Sequence, residues 1–413
     1  MSPLGVVVAV VLVDLLGFSV VMPLLAPLGR EFGLDGWRIG LLFSAYPLCQ
    51  LVSGPILGRL SDRHGRRPVL IFSQAGTALS FLMLGLARDF PTLLLARALD
   101  GASGGNILVA QAYVADVTTP ENRSRGLGLI GMAFGLGFVL GPLLGGVILS
   151  MPIDPYWRLR LPFLVGALFS TVAWVLVLTR LPESLPADAA ARRASRVISW
   201  RGLVETATHP LIGLLVLVGF LVTVSFASLE GTYSLLLRDR MGWDARRAAF
   251  AFAFLGLVSA VVQGGLIRRL VPRFGEPRLI LAGVALLAAG MALMAGASTA
   301  LAVGLATVVL ALGQGLAGPS LSGLISKATP ADEQGAIFGT LSSAQTLARM
   351  FSYSLANVMF ARLGPSAPYW WGSLAAALAL GVAWLACRRF ASSTPVGERE
   401  GVVVASSGSP ASR

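Results

Sequence analysis

A chain of 413 residues that is 55% hydrophobic and only 13% charged, with a mean hydropathy of +0.77, excludes an ordinary soluble enzyme, whose charged share is about 25%. The net charge of +12 is spread over many short segments, which excludes a nucleic-acid-binding face. Every basic residue but Lys327 is Arg, a bias that points to a GC-rich bacterial genome, and the two cysteines, Cys49 and Cys387, lie in apolar runs with no metal-ligand spacing.

Helices are expected near 4–28, 38–58, 69–87, 91–115, 125–150, 162–181, 211–237, 245–270, 279–297, 301–327, 335–361 and 369–387. About 20 apolar residues span a bilayer core of ~30 Å, and these runs are too long and too uniformly apolar for the strands of a closed barrel. The first run lacks a basic n-region and is interrupted by Asp14 and Gly17, so it reads as a spanning helix and not as a cleaved leader. The hydrophilic stretch 182–210 divides two six-helix halves, 1–181 and 211–388. Within it, 198–208 reads as a short amphipathic surface helix or as solvated linker, and the tail 389–413 reads as disordered. With both termini cytoplasmic, 20 Lys and Arg lie on the cytoplasmic side and 10 outside, while Arg97 and Arg349 fall within helices. That bias sets the orientation of a multi-pass plasma-membrane protein.

Charges at membrane depth are costly and mark functional candidates. Here they are Asp14 in helix one, Arg97 and Asp100 in helix four, Glu230 in helix seven and Arg349 in helix eleven. Gln111 falls within about 20° of Asp100 if helix four is continuous. Gln345, Arg349 and Tyr353 are spaced by four and share a stripe. Arg97 and Asp100 read as a proton-sensitive pair with Asp14 nearby, because desolvation and a neighbouring cation push a carboxyl proton in opposite directions. Glu230 and Arg349 are expected to pair across helices seven and eleven. Phe18, Met22, Phe134, Phe138, Phe226, Tyr233, Phe254, Met350 and Trp371 are candidates for an apolar cavity wall.

The halves repeat each other weakly. Val114–Leu129 and Leu324–Gly339 each hold a Thr-Pro turn between two helices, and Arg63-His64-Gly65 matches Arg273-Phe274-Gly275. A duplicated six-helix unit with its site between the halves is the plan of many secondary transporters. No phosphate-binding loop is visible; the energy source expected is a proton gradient, with no cofactor. An intramembrane enzyme needs a nucleophile and base or a metal cluster at membrane depth, and His64 and His209 lie outside the spans.

Gly58-Arg-Leu-Ser-Asp62-Arg63-His-Gly65-Arg66-Arg67 resembles the signature loop of the major facilitator superfamily. Arg97-Ala-Leu-Asp100-Gly101 is similar to its fourth-helix motif. Gly135-Leu-Gly137-Phe-Val-Leu-Gly141-Pro142-Leu-Leu-Gly145-Gly146 is similar to the helix-five motif of its antiporter branch. The resemblance covers nearly the whole chain and is strongest to the tetracycline-exporter type of drug:proton antiporters, including the tetracycline-transporter-like proteins of animals. It implies an all-α fold of twelve helices in two pseudo-symmetric six-helix bundles, working as a monomer. It implies export of a hydrophobic or amphipathic small molecule against protons by alternating access, in multidrug or tetracycline-like efflux. A proton symporter for a small solute, or a lipid or glycolipid flippase of the same fold, is the alternative. It also implies a cytoplasmic latch of Asp62, Arg63, Arg66, Arg67 and Asp116 that holds the outward-open state, and a tight contact between halves at Gly137, Gly141, Pro142, Gly145 and Gly146. Pro272 stands where the second-half acid would be, so a second latch is expected to be weaker or absent. Helix nine carries no charge where tetracycline exporters have an essential acid. The coupling acid therefore stays open among Asp14, Asp100 and Glu230.

Overall fold

A computed structural model of the chain describes residues 2–185, 209–330 and 333–393. Among them twelve long helices follow in sequence, with one short turn of helix, Pro155–Arg158, before the sixth. These are α1 Pro3–Glu31, α2 Gly36–His64, α3 Arg66–Leu86, α4 in two segments (Phe90–Ser103 and Asn106–Val117), α5 Pro120–Leu149 and α6 Leu161–Arg180. The second half comprises α7 Ile212–Met241, α8 Ala245–Phe274, α9 Glu276–Gly296, α10 Ala300–Lys327, α11 Gln334–Leu363 and α12 Ala367–Ser393. Ten are long and apolar enough to cross a membrane by length and composition. The other two are α4, which is broken, and α11, which carries Gln345, Arg349 and Asn357.

Several boundaries differ from expectation. The α2 helix continues through Gly58 and Asp62 to His64, so the expected loop shrinks to a turn at Gly65. The tail expected from 389 is helical as far as Ser393; residues 186–208, including the 198–208 segment, and 394–413 lie outside the described residues. Two successive glycines, Gly104 and Gly105, interrupt α4, where each lowers helix stability by about 1 kcal/mol. Gln50 Nε2 donates to the Gly104 carbonyl at 3.0 Å, satisfying a backbone acceptor that the break releases.

The duplication is sharpest at the helix caps. Gly33 and Gly242 have φ of 65° and 62°. Each is followed by an aspartate that caps the next helix, Asp35 accepting from Arg38 N–H and Asp244 from Arg247 N–H. Gly65 and Gly275 turn α2 into α3 and α8 into α9 with φ of 100° and 76° and ψ near 160°, a conformation open essentially to glycine alone. Asp89 and Thr299 cap α4 and α10 in the same way.

Packing differs between the two faces of the bundle. One apolar core joins the halves through Leu24, Leu25 and Leu28 of α1 and Leu235 and Leu236 of α7, all on the face opposite the chain ends. On the face with the chain ends, the two halves also hold separate cores. Val7, Val10, Leu70 and Val114 belong to the first, and Val262, Ile267 and Leu279 to the second. The opposite face is locked further where Ser44 of α2 shares a hydrogen bond with Ser354 of α11 at 2.8 Å. A long Arg30–Asp239 ion pair of 4.0 Å joins α1 to α7 there.

Helix α5 uses two faces. Gly137, Gly141 and Gly145 lie against Leu15, Ser19 and Val20 of α1, and Ser19 Oγ donates to Gly137 O at 2.7 Å. This glycine face is therefore a seam inside the first bundle and not the expected contact between halves. The inter-half contact falls on Phe138 and Gly146, which meet Gly256 and Phe250 of α8. Pro142 has no N–H for the Phe138 carbonyl, and a Cβ on Gly256 would stand 2.5 Å from that oxygen. Gly141→Leu forces a side chain into Ser19 and Leu16. A destabilisation of about 1–3 kcal/mol, the usual cost of overpacking, is expected as a lowered Tm in detergent.

Candidate functional site

Between the halves lies a cavity of about 1090 Å³. Its walls come from α1, α2, α3, α4 and α5 of the first half and α7, α8, α10 and α11 of the second. It extends to Gly128 and Arg268, near the chain-end side, and is sealed on the other side by the shared core. The molecule is thus open toward the face that carries its ends. Of the apolar wall candidates, Phe18, Met22, Phe134, Phe138 and Phe226 line the cavity. Tyr233 is buried against Thr307 instead, and Phe254 is exposed on the outer side of α8.

Asp14 opens onto this cavity from the middle of α1. Both of its carboxyl oxygens are buried without a hydrogen-bond partner. Gln74 of α3 and Asn106, the first residue after the break in α4, stand beside it. These amides bond to each other, Asn106 Nδ2 donating to Gln74 Oε1 at 3.2 Å. That leaves Gln74 Nε2 and Asn106 Oδ1 unused. Both amides act on the Asp14 carboxyl group as donors from beyond hydrogen-bonding distance, so it has no fixed partner in either protonation state.

Arg97 and Asp100 form a direct ion pair of 2.7 Å. Arg97 is wholly buried, its guanidinium 4.9 Å from the Tyr46 ring centre; its Nη2 has no partner. Asp100 and Tyr46 reach the cavity. On the opposite wall, Tyr353 donates to Glu230 Oε2 at 2.9 Å. The expected Glu230–Arg349 ion pair is not formed within 4.0 Å; both line the second-half wall, where the Arg349 charge still acts on Glu230 and Tyr353 holds the carboxylate.

Two candidates fall away from this centre. The break in α4 removes the helical phase that related Gln111 to Asp100, and Gln111 is exposed away from the cavity. Gln345 turns toward Gly219 of α7. Sequence reasoning missed Gln74, Asn106, Tyr46 and Gln50. Gln74 and Asn106 were visible as polar residues inside apolar runs, but nothing in their spacing linked them to Asp14.

The signature segment forms a brace at the chain-end face. Arg66 is bound by Asp62 at 2.7 Å and Asp116 at 3.0 Å. Glu183 accepts from the backbone N–H groups of Arg66 and Arg67 at 2.8 and 3.0 Å, which places an anion at the N-terminus of α3. Arg67 also donates to the Leu178 carbonyl, while Arg63 is exposed. These partners all belong to the first half, so here the expected latch fastens one bundle internally. The corresponding corner of the second half is also closed, with the charges reversed. Glu276, which follows Gly275 as Arg66 follows Gly65, meets Lys327 at 2.5 Å. Arg66→Ala removes the charge-assisted bonds from Arg66 to Asp62 and Asp116, and is expected to cost about 1.5–3 kcal/mol. Arg63→Ala should stay within about 0.5 kcal/mol. Thermal unfolding of the two variants side by side checks this.

The family model for the Major Facilitator Superfamily matches residues 7–353 and 269–411. The class D tetracycline resistance protein of Salmonella ordonez is 31% identical over 89% of this chain and 91% of its own length. The mouse major facilitator superfamily domain-containing protein 10 is 31% identical over 82% of each chain. The crystal structure of the human organic anion transporter MFSD10 superposes with a TM-score of 0.71 at 27% identity, over 92% of this chain and 98% of that one.

Proposed function

We propose, for a chain that belongs to the major facilitator superfamily and is a multi-pass membrane transporter of that family, proton-coupled export of amphipathic small molecules by alternating access. The observation that carries this reading is Asp14, a carboxyl group on the substrate cavity with no fixed partner and with the side-chain amides of Gln74 and Asn106 beside it. A group so placed can exchange its proton with cavity water or yield it when substrate arrives, at little cost in rearranged bonds. Arg97–Asp100, by contrast, is a formed pair whose opening leaves two buried charges. We assign it to holding α4 and shaping the cavity field, and Arg349 with Glu230 to orienting a polar substrate group on the second-half wall.

The remaining elements of the proposal follow from charge and symmetry. The chain-end face is cytoplasmic by its excess of basic residues. The cavity then loads from the cytoplasm or the inner leaflet, and one chain carries the complete site. The mostly apolar wall, and relatives named for tetracycline resistance, support an amphipathic cargo.

Substrate-triggered proton movement in energised inside-out vesicles tests the reading. With a fluorescent pH probe and a panel of amphipathic drugs, at least one compound should collapse the gradient in vesicles containing the protein and none in controls. If the whole panel leaves the gradient untouched, the export reading fails.

A further inference from the structure

The cavity is not bounded by protein on all sides. Along α5, Met132, Leu136, Leu140, Leu143 and Val147 form one exposed stripe at helical spacing. The far part of that stripe, from Leu140 on, lies off the cavity and faces outward. Its near part, Met132 and Leu136, lies on the cavity edge while still 53% and 43% exposed. The facing helix repeats the pattern. Phe254 and Val261 of α8 are exposed off the cavity, and Leu257, on the same stripe, is 51% exposed and lines it. Residues that face the bilayer therefore also form the cavity rim. The contact of α2 with α11 shows nothing similar: Val52 and Ile56 of α2 are exposed but lie off the cavity.

The reason for the gap lies in the sequence. Past the Phe138–Gly256 contact, α5 offers Gly135, Gly131 and Gly128. In α8 the turn Val262–Leu266 is a π-turn holding Gln263, Gly264 and Gly265. A Cβ at Gly135 would still lie 4.0 Å from Ala260, but at Gly131, Gly128, Gly264 and Gly265 it would meet nothing within 4 Å. The helices touch at mid-membrane and then leave a slot toward the chain-end face. Wide turns of this kind recur at functional sites.

We propose that this α5–α8 slot is the substrate entrance, admitting amphipaths sideways from the inner leaflet of the bilayer. The inference rests on the export reading and specifies its cargo. The entrant has an apolar body that stays in contact with Met132, Leu136 and Leu257. Its polar end carries an acidic or hydrogen-bond-accepting group, which Gln263 and Arg268 at the inner end of the cavity receive.

The test uses the full chain in nanodiscs and proteoliposomes, with an alkyl-chain series of anionic fluorescent dyes. Gly131→Trp and Gly264→Trp fill open space and leave the fold intact. They should raise KM for the longest-chain dyes at least tenfold more than for the shortest, water-soluble dyes. Arg268→Gln should raise KM for anionic dyes at least tenfold more than for cationic analogues. Separately, bimane on Met132→Cys should be quenched by brominated lipid. Equal KM changes along the chain-length series, or quenching by aqueous iodide alone, would overturn the slot. Movement of labelled phospholipid without any dye would overturn the assigned occupant. If wild type moves no dye at all, the export reading falls, while bromolipid quenching still decides whether the slot opens to lipid.

Discussion

Asp14→Asn is expected to abolish coupled transport and to raise thermal stability at the same time. The native carboxyl oxygens are buried without partners, and an unsatisfied buried polar group costs about 1–3 kcal/mol. An asparagine there is uncharged and carries both an acceptor and a donor beside the Gln74 and Asn106 amides, whose Nε2 and Oδ1 are unused in the native site. It completes the network and mimics the protonated acid permanently. Tm should therefore rise. Proton-driven dye flux should fall by about two orders of magnitude, the equivalent of ~2.7 kcal/mol in the barrier. A variant that is both stabilised and uncoupled separates a proton-carrying role from a packing role, since loss of a structural contact would lower both quantities. Retained coupling would move the assignment to Asp100 or Glu230.

Arg97→Met should be the most damaging single change in the first bundle. The arginine is wholly buried, and its removal leaves Asp100 without its 2.7 Å partner. Breaking one side of a buried pair costs about 3–5 kcal/mol, a large fraction of the roughly 5–15 kcal/mol available to a typical domain. Little monodisperse protein should be recovered by fluorescence-detected size exclusion. Adding Asp100→Asn should restore most of it, because a neutral pair no longer strands a charge. If Arg97→Met alone behaves as wild type, the pair is hydrated and the cavity is wetter than its walls suggest.

The sequence revealed what depends on local patterning. Long apolar runs give twelve helices, and the matched Thr-Pro turns and the glycines at 65 and 275 mark the repeat between halves. Its errors share a physical cause. Periodicity states which residues share a face but not which neighbour that face meets, so Gly137, Gly141 and Gly145 were assigned to the wrong contact. The phase argument for Gln111 assumed an unbroken helix, and Gly104-Gly105 ended it. At the second corner Pro272 replaces the acid, and the closure comes instead from Glu276, at the position of Arg66, with Lys327, one residue past the position of Asp116. The neighbours of Asp14, Gln74 and Asn106, come from α3 and α4, and only folding brings them beside it.

Counting protons and substrate together in one purified system tests the central claim most directly. In proteoliposomes with an imposed pH gradient and no membrane potential, a transported dye should accumulate uphill on the acidic side. A proton should leave that side for each step, and Asp14→Asn should only equilibrate the dye. Dye and protons moving in the same direction, or uphill accumulation that survives Asp14→Asn, would contradict the account.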